Sequence, residues 1–328
     1  MTTFAVMAFL AVASGPQFHA VVEYWHSTSQ TESPIFEIDA HRVWHGAFAR
    51  YGGQAELHPG PGSAFAIIDG ERIDVYRGLT VVTSTAVPEN AWVIGWDGPW
   101  PIVRTGTSDD KNLQAFVVTD RERIALPQSA ASTSGLAGSP RIGLVCVPDF
   151  KNLAQTPQGL NRISWLRKGS FTPISGLANR NCSVAWLEDR AVLGTEEYQD
   201  RGEASLLTVQ PTESRAKVLA RHRGTAWEVR YPDRRGRCWI TEDGWTGRMH
   251  KFHDFARIYK LTAKGGLQRV AIHKGEFLAW GSDRSDRWLL GWRVDGWEMG
   301  AYDLIAKNLR TGRDMVIDHA INEFKELE

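Results

Sequence analysis

Cysteine is scarce in this chain of 328 residues: Cys146, Cys182 and Cys238 are an odd number, widely spaced and without a CxxC pair. That excludes a disulfide framework and a cysteine-ligated zinc site. Buried free thiols in a reducing compartment are the plain reading, so a cytoplasmic location is expected. Net charge is lacking too, since Lys+Arg and Asp+Glu are both 38. A chain without a basic field is not built as a general binder of nucleic acid or of anionic membranes. The one basic cluster, Arg234-Arg235-Gly236-Arg237, reads as a solvated turn. No apolar run is long enough for an integral membrane segment. The stretch Phe4 to Val12 is apolar, and Ala11-Val12-Ala13 fits a small-residue cleavage site, which would make the protein periplasmic or secreted. Against that, Met1-Thr2-Thr3 carries no Lys or Arg, and a buried strand is the other reading of residues 1–18. There is no G-x-S-x-G elbow, Walker loop, G-x-G-x-x-G or H-E-x-x-H, so no catalytic signature names an activity. Heptads, low-complexity tracts, long amphipathic helices and interdomain linkers are also missing, and residues 1–328 are read as a single domain.

What the chain has is turns, strands and tryptophan. It holds 31 Gly and 14 Pro among many Val, Ile, Trp and Phe, a composition that favours short strands with frequent turns. Fourteen Trp supply large buried areas, and exposed ones would form stacking platforms. A hairpin pattern recurs. Its candidates begin near Ala64, Asn112, Leu160, Ala204, Ala256 and Ala301, at spacings of 48, 48, 44, 52 and 45. Each is aligned as the third strand of its unit, followed by a short polar turn and a fourth strand. A near-constant period of this length is how four-stranded propeller blades appear in sequence. The expected fold is therefore all-β, a β-propeller of four-stranded antiparallel blades, with six blades and seven as the alternative.

Some parts fit the period less well. The first strand of one unit falls in the small-residue stretch 129–138, which otherwise reads as a loop. Ala20 to Trp25 and Ile35 to Ile38 read as two strands of a first blade. A propeller must close its ring, and either the segment before His19 or the tail 320–328 is available to supply the closing strand. The tail equally reads as a helical turn.

Over about 180–318 the units resemble the TolB-like or WD40-like propeller repeat. In that repeat an S-P-D-G-like turn joins inner strands and a hairpin of the form LYxxDLxxG joins outer ones. The matching residues are Ser282, Asp283, Asp286, Trp288, Tyr302, Asp303, Leu304 and Gly312, and in the preceding unit Pro232, Asp233, Gly236, Tyr259, Leu261 and Gly265. The resemblance implies a scaffold and turn chemistry. It carries no catalytic residues.

On a propeller the loops joining second to third strands share a face with the connections between blades, and function concentrates there. Three stretches set a Trp beside an Asp-Gly turn: Trp96-Asp97-Gly98-Pro99-Trp100, Asp243-Gly244-Trp245 and Asp295-Gly296-Trp297. Exposed, these rings would anchor a protein, peptide or glycan; folded back, they would plug the propeller. The ligand-binding candidates are Trp100, Arg104, Trp245, Arg248, Trp297, Glu298 and Trp44, with the arginines as hydrogen-bond donors. His250, His253 and Asp254 sit in one loop and His41 in another, beside Trp44 and His45. Converging, they would hold a divalent metal, as in the His-rich sites of oligogalacturonate-lyase-type propellers; apart, they are solvated turn residues. The leading expectation is a non-catalytic binder of a protein, peptide or glycan, with no cofactor. The alternatives are a metal-assisted polysaccharide lyase or glycoside hydrolase, and a structural component of a larger assembly.

Overall fold

A computed structural model of the chain describes residues 15–24, 34–41, 43–44, 46–106, 113–139, 143–148, 162–177, 182–195, 203–244, 255–264, 266–294 and 302–327. Strands begin with β1 (His19–Tyr24), β2 (Ile35–Asp39) and β3 (Val43–Trp44), an antiparallel set without a first strand of its own. Four-stranded antiparallel meanders follow. One is β4 (Glu56–Pro59), β5 (Ala64–Asp69), β6 (Arg72–Arg77) and β7 (Thr80–Ala86). Next come β8 (Trp92–Asp97), β9 (Trp100–Thr105), β10 (Gln114–Val118) and β11 (Arg123–Ala125), then β12 (Thr133–Ser139), β13 (Gly143–Pro148), β14 (Ser164–Arg167) and β15 (Ser170–Pro173). These two merge into one sheet because β8 and β12 pair in parallel, with Leu136 opposite Gly95. Then follow β16 (Cys182–Leu187), β17 (Arg190–Thr195), β18 (Glu203–Val209) and β19 (Lys217–Arg223), and after them β20 (Thr225–Val229), β21 (Arg237–Gly244), β22 (Phe255–Thr262) and β23 (Gln268–Lys274). The last is β24 (Leu278–Ser282), β25 (Trp288–Val294), β26 (Tyr302–Asn308) and β27 (Asp314–Glu326).

β27 belongs to two meanders. From Asp314 to Ile321 it pairs with β26, and from Ile321 to Glu326 it pairs antiparallel with β1, with Val22 opposite Phe324. The tail is thus the closing strand, and the missing first strand of the β1–β3 set. Consecutive meanders touch all the way round, β27 on β4, β5 on β9, β12 on β16, β17 on β20 and β21 on β24. This is a β-propeller, and the core lies between neighbouring sheets. One layer joins Ala185, Leu187 and Val192 to Trp227, Val229 and Ile240 across the β16–β19 and β20–β23 sheets. Trp165, Trp227 and Trp239 are fully buried, so much of the tryptophan is packing material.

Local sequence explains the strands. Thr225–Val229 alternates buried Thr225, Trp227 and Val229 with half-buried Ala226 and Glu228, as a strand with one covered face requires. Lys168 and Gly169, at φ 47° and 78°, supply the two left-handed residues of a tight hairpin between β14 and β15. Neighbouring inner strands approach so closely that side chains are excluded at two points. A Cβ on Gly95 would lie 1.9 Å from the Leu136 carbonyl oxygen, and one on Gly194 2.3 Å from that of Trp227.

The motif that carried the family resemblance proves structural. Asp233 accepts from the backbone N–H of Arg235 and Arg237 (2.9 and 3.0 Å), from Arg237 Nε (2.8 Å) and from Trp239 Nε1 (3.0 Å). Asp283 accepts from the N–H of Arg287 and Trp288, both at 3.0 Å. Arg237 also reaches the next sheet, donating to Asp286 Oδ1 (2.8 Å) and Ser282 Oγ (3.0 Å).

Several expectations need correction. The Asp-Gly stretch Trp96 to Trp100, grouped above with the loop-face candidates, is instead the end of β8, a two-residue turn and the start of β9 at the opposite face. The Ala64 hairpin is the second and third strands of its unit, one strand out of step with the five candidates after it. Its spacing matched the period because every strand pair in a meander is a hairpin. The tail is a strand and not a helical turn, since its register with β1 leaves its backbone groups paired.

Removal of 321–328 should abolish the cooperative unfolding transition seen for the full chain by circular dichroism, because β1 would lose its inner partner. Gly95→Ala should lower stability by about 1–3 kcal/mol, measured by urea titration, with Gly266→Ala, at an open position without a left-handed φ, as the milder control.

Candidate functional site

The first strand of each meander runs in one direction along the ring axis, which fixes two faces. At one face lie the tight first-to-second turns, among them 60–63, 98–99, 188–189, 232–236 and 283–287. At the other lie the second-to-third connections. Apart from the two-residue turn 70–71 these are long: 25–34, 106–113, 149–163, 196–202, 245–254 and 295–301. The segments that hold Trp245 and Trp297 therefore leave from equivalent points on the same face, between paired residues Gly244 and Phe255 and between Val294 and Tyr302.

Trp245, Arg248, His250, His253, Asp254, Trp297 and Glu298 lie outside the described residues, and so does the side chain of Trp44. The remaining candidates are separated by the strands themselves. Trp100 begins β9 at the tight-turn face, half-buried with the Arg77 guanidinium 4.6 Å from its ring centroid. Arg104 ends the same strand at the loop face, opposite Trp92. Its Nε is buried without a hydrogen-bond partner among the described residues. His41 lies between β2 and β3, a third-to-fourth turn on the tight-turn face, exposed and with its backbone N–H on Asp39 Oδ1 at 2.7 Å. The strand pair β21–β22 that anchors segment 245–254 ends at the opposite face, so His41 is placed away from that anchor.

The axis is bridged at the tight-turn face. Gly62 N–H donates to the Pro232 carbonyl (2.8 Å), joining turns of two non-adjacent meanders, and Lys325 Nζ on β27 donates to the Gly60 carbonyl of the next one. The Trp96 and Tyr231 rings meet edge to face at 6.4 Å. At this same face a cavity of about 200 Å³ is lined by the turn residues Pro61, Gly62 and Pro99 together with Trp96, Trp186 and Tyr231. A larger concavity, about 550 Å³, opens beside the Lys168–Gly169 turn, where burial pushes the Asp97 carboxyl up to about 6.

Toward the loop face the axis is acidic. Glu56 opens β4, Glu228 lies on β20, Asp243 is next to last in β21, Glu276 precedes β24 and Glu323 lies on the closing half of β27. Arg230 pairs with Glu228 at 3.1 Å and lies 5.8 Å from the Trp280 ring centroid. Asp243 is 8% exposed. It accepts from the Phe277 backbone N–H, but its Oδ1 has no partner among the described residues. Burial, and then the charges of Glu276, Glu228 and Glu242, hold its carboxyl well above the usual range. Burial also pushes Glu323 up to about 7, with Arg230 opposing and Glu228 adding to the shift. Glu23 on β1 is likewise raised to about 7 by burial, although it accepts from the Leu57 N–H and Asn322 Nδ2. Trp92, at the loop-face end of β8, is 47% exposed and meets the His58 ring edge to face at 4.8 Å. These groups are not arranged as metal ligands: among the described residues no three His, Cys, Asp or Glu could hold an ion.

Sequence reasoning missed this acidic mouth and Trp92. The signal, once first strands are assigned, is a glutamate at a half-buried position on several of them: Glu56 in ELHP, Glu228 in TAWEV and Glu323 in INEFKE.

No family model matches the chain, and no curated protein does. Solved structures do match. A puromycin-hydrolyzing peptidase from Mycobacterium tuberculosis is similar at TM-score 0.50 and 10% identity, over 93% of this chain and 53% of that one. A TolB from Agrobacterium tumefaciens gives 0.39 and 9%, over 93% and 90%. The WD40 domain of SCAP from fission yeast gives 0.39 and 9%, over 94% and 88%. At such identities the likeness is one of fold. No described helix is long and apolar enough to cross a membrane.

The raised carboxyls fix a pH dependence. A folded-state value above the unfolded one means that the folded chain holds extra protons, so that contribution to stability is full below the unfolded value and is lost as pH rises through the folded value. Melting temperature should fall between about pH 4.5 and 7, the window of Glu23 and Glu323. Glu323→Gln should leave stability at pH 4 unchanged and raise it at pH 8 by on the order of 1–3 kcal/mol, measured by thermal unfolding across that range.

Proposed function

We propose that this protein is a single-domain, seven-bladed propeller that binds a protein, peptide or glycan on its loop face without catalysis. The blade count follows from treating the closing half of β27 as the first strand of the β1–β3 unit and dividing the merged β8–β15 sheet at its parallel seam. The observation that carries the functional reading is the asymmetry of the axis. The tight-turn face is bridged by the Gly62–Pro232 hydrogen bond and the Trp96–Tyr231 contact, whereas the long connections leave from the loop face, where Asp243 Oδ1 has no partner among the described residues and Trp92 is exposed. A ligand is therefore expected at the loop face.

On this face Trp245 and Trp297 act as apolar anchors, with Arg104 and Arg248 as donors at the rim and Glu298 and Trp44 in supporting roles. Trp100 is assigned to packing, given its half-buried place under Arg77 at the other face. The lyase or hydrolase reading is weakened by the position of His41, which removes one of the metal-ligating residues it drew on.

Trp245→Ala with Trp297→Ala should preserve the melting temperature within about 1–2 °C, as exposed positions do, and should reduce capture of the native ligand in pull-down by tenfold or more, about 1.4 kcal/mol. Collapse of the fold would show that the rings are core. Elemental analysis of the purified chain should find no stoichiometric divalent metal; a bound metal lost in His250→Ala would replace this reading with the enzymatic one.

A further inference from the structure

Two acidic groups on the axis, Asp243 and Glu323, carry an oxygen that no described residue satisfies. Glu228, Asp243, Glu276 and Glu323 come from consecutive meanders, close enough that Glu276 and Glu228 act on Asp243 and Glu228 on Glu323, with Arg230 as the guanidinium beside them. Arg230 is engaged by Glu228 at 3.1 Å and by the Trp280 face. That leaves Asp243 Oδ1, on a residue only 8% exposed, and Glu323 Oε2 buried without hydrogen-bond partners among the described residues. A buried carboxylate oxygen without a donor costs about 1–3 kcal/mol or more, and a structural role would have provided one, as Glu242 shows. That neighbour of Asp243 points the other way and is satisfied by His222 Nδ1 (2.6 Å), Arg257 Nη1 (2.9 Å) and the Tyr259 hydroxyl (2.9 Å).

The surroundings define what would satisfy these oxygens. Among the described residues no three His, Cys, Asp or Glu are grouped to hold a bare metal ion. The axis is bridged on the far side by the Gly62–Pro232 hydrogen bond and the Trp96–Tyr231 contact, so the occupant is expected to enter from the loop face. The exposed Trp92 ring at that end offers the negative face that attracts an ammonium or guanidinium. Tyr302, whose hydroxyl is raised by burial and by Glu276, Glu323 and Glu228, faces the same groups.

We propose that the loop-face mouth of the axis is a binding site for an ammonium or guanidinium group, inserted between Asp243, Glu228, Glu276 and Glu323 with Trp92 at its rim. The inference rests on the loop-face reading above and gives its ligand a chemistry: a lysine or arginine side chain of a partner segment, or a free polyamine. The inserted cation replaces the protons that the carboxyls otherwise hold, so binding releases protons and strengthens as pH rises from about 5 to 8, the range in which Glu323 ionises. It also weakens with salt.

The test uses the full chain and three probes, an end-capped lysine tripeptide, its arginine counterpart and spermidine, by calorimetry at pH 8 and low salt. Saturable binding of at least one is expected, with proton release measured in buffers of different ionisation enthalpy. It should be about tenfold or more weaker in Asp243→Asn and in Glu323→Gln, and absent for a capped glutamate tripeptide. Tripeptide without spermidine binding identifies a partner segment as the source, and the reverse identifies a free polyamine. Both variants remove a buried negative charge and should remain folded at pH 8, which unfolding curves check. The proposal is overturned if no probe binds the wild type, or if binding is unchanged in both variants. It is also overturned if the wild type is silent but Arg248→Ala with Lys251→Ala binds, because the chain's own cation would then fill the site. Pull-down of the native ligand that is lost on changing Trp245 and Trp297 but survives the carboxylate changes would overturn this inference alone and leave the loop-face function standing.

Discussion

Everything in this fold depends on one strand serving two sheets. Asp314–Glu326 is the outer strand of one meander and, past Ile321, the inner strand of the one that begins with His19–Tyr24. Without that pairing the ring has two open edges, and an open edge of unpaired N–H and C=O groups is unstable in a closed β architecture. The apolar packing follows the closure. Trp280 of β24 stacks on Phe324 of the closing strand at 4.9 Å, and Phe324 in turn meets Phe18 at 6.4 Å, so the chain's two ends share one layer of core. Glu23 adds a polar tie, accepting from Leu57 of the next sheet and from Asn322 of the closing strand.

Closure also sets the character of the axis. Inner strands packed tightly enough to exclude a Cβ at Gly95 and Gly194 leave a narrow axis, and the two ends of that axis are filled differently. At one end proline, glycine and aromatic rings meet across the ring. At the other, carboxyl groups are held in partial burial at an energetic cost. A protein tolerates such a cost where the groups do something besides hold the fold.

The architecture was legible in the sequence because its determinants are local. Third strands at Ala204, Ala256 and Ala301 follow from apolar runs and polar turns, and the roles of Asp233 and Asp283 follow from turn chemistry within five residues. What misled the reading was also local. An Asp-Gly beside Trp100 looks the same whether it tips a loop or turns a hairpin, and only the pairing of β8 with β9 decides it. The Ala64 hairpin could not be told from its neighbours because every adjacent pair in a meander has the same signature. The acidic mouth was illegible for a different reason. Glu56, Glu228 and Glu323 each look like an ordinary solvated charge, and only ring closure brings residues so distant in sequence to one axis. The segments holding Trp245, Arg248, His250, His253, Asp254, Trp297 and Glu298 fall on one face by topology, which is as much of the site as strand order determines.

The shared strand has a consequence for how the molecule comes into being. His19–Tyr24 is made early, and its inner partner Ile321–Glu326 only after some three hundred further residues. On a ribosome the first strand must wait, with one edge bare, while sheet after sheet forms behind it. Local hairpins assemble as they emerge, but the ring locks in a single late event of the longest sequence separation among the described strand pairs, the kind of contact that slows folding most. During that interval the bare edge is open to strands from other chains, so the speed of this last docking step governs the yield of native protein.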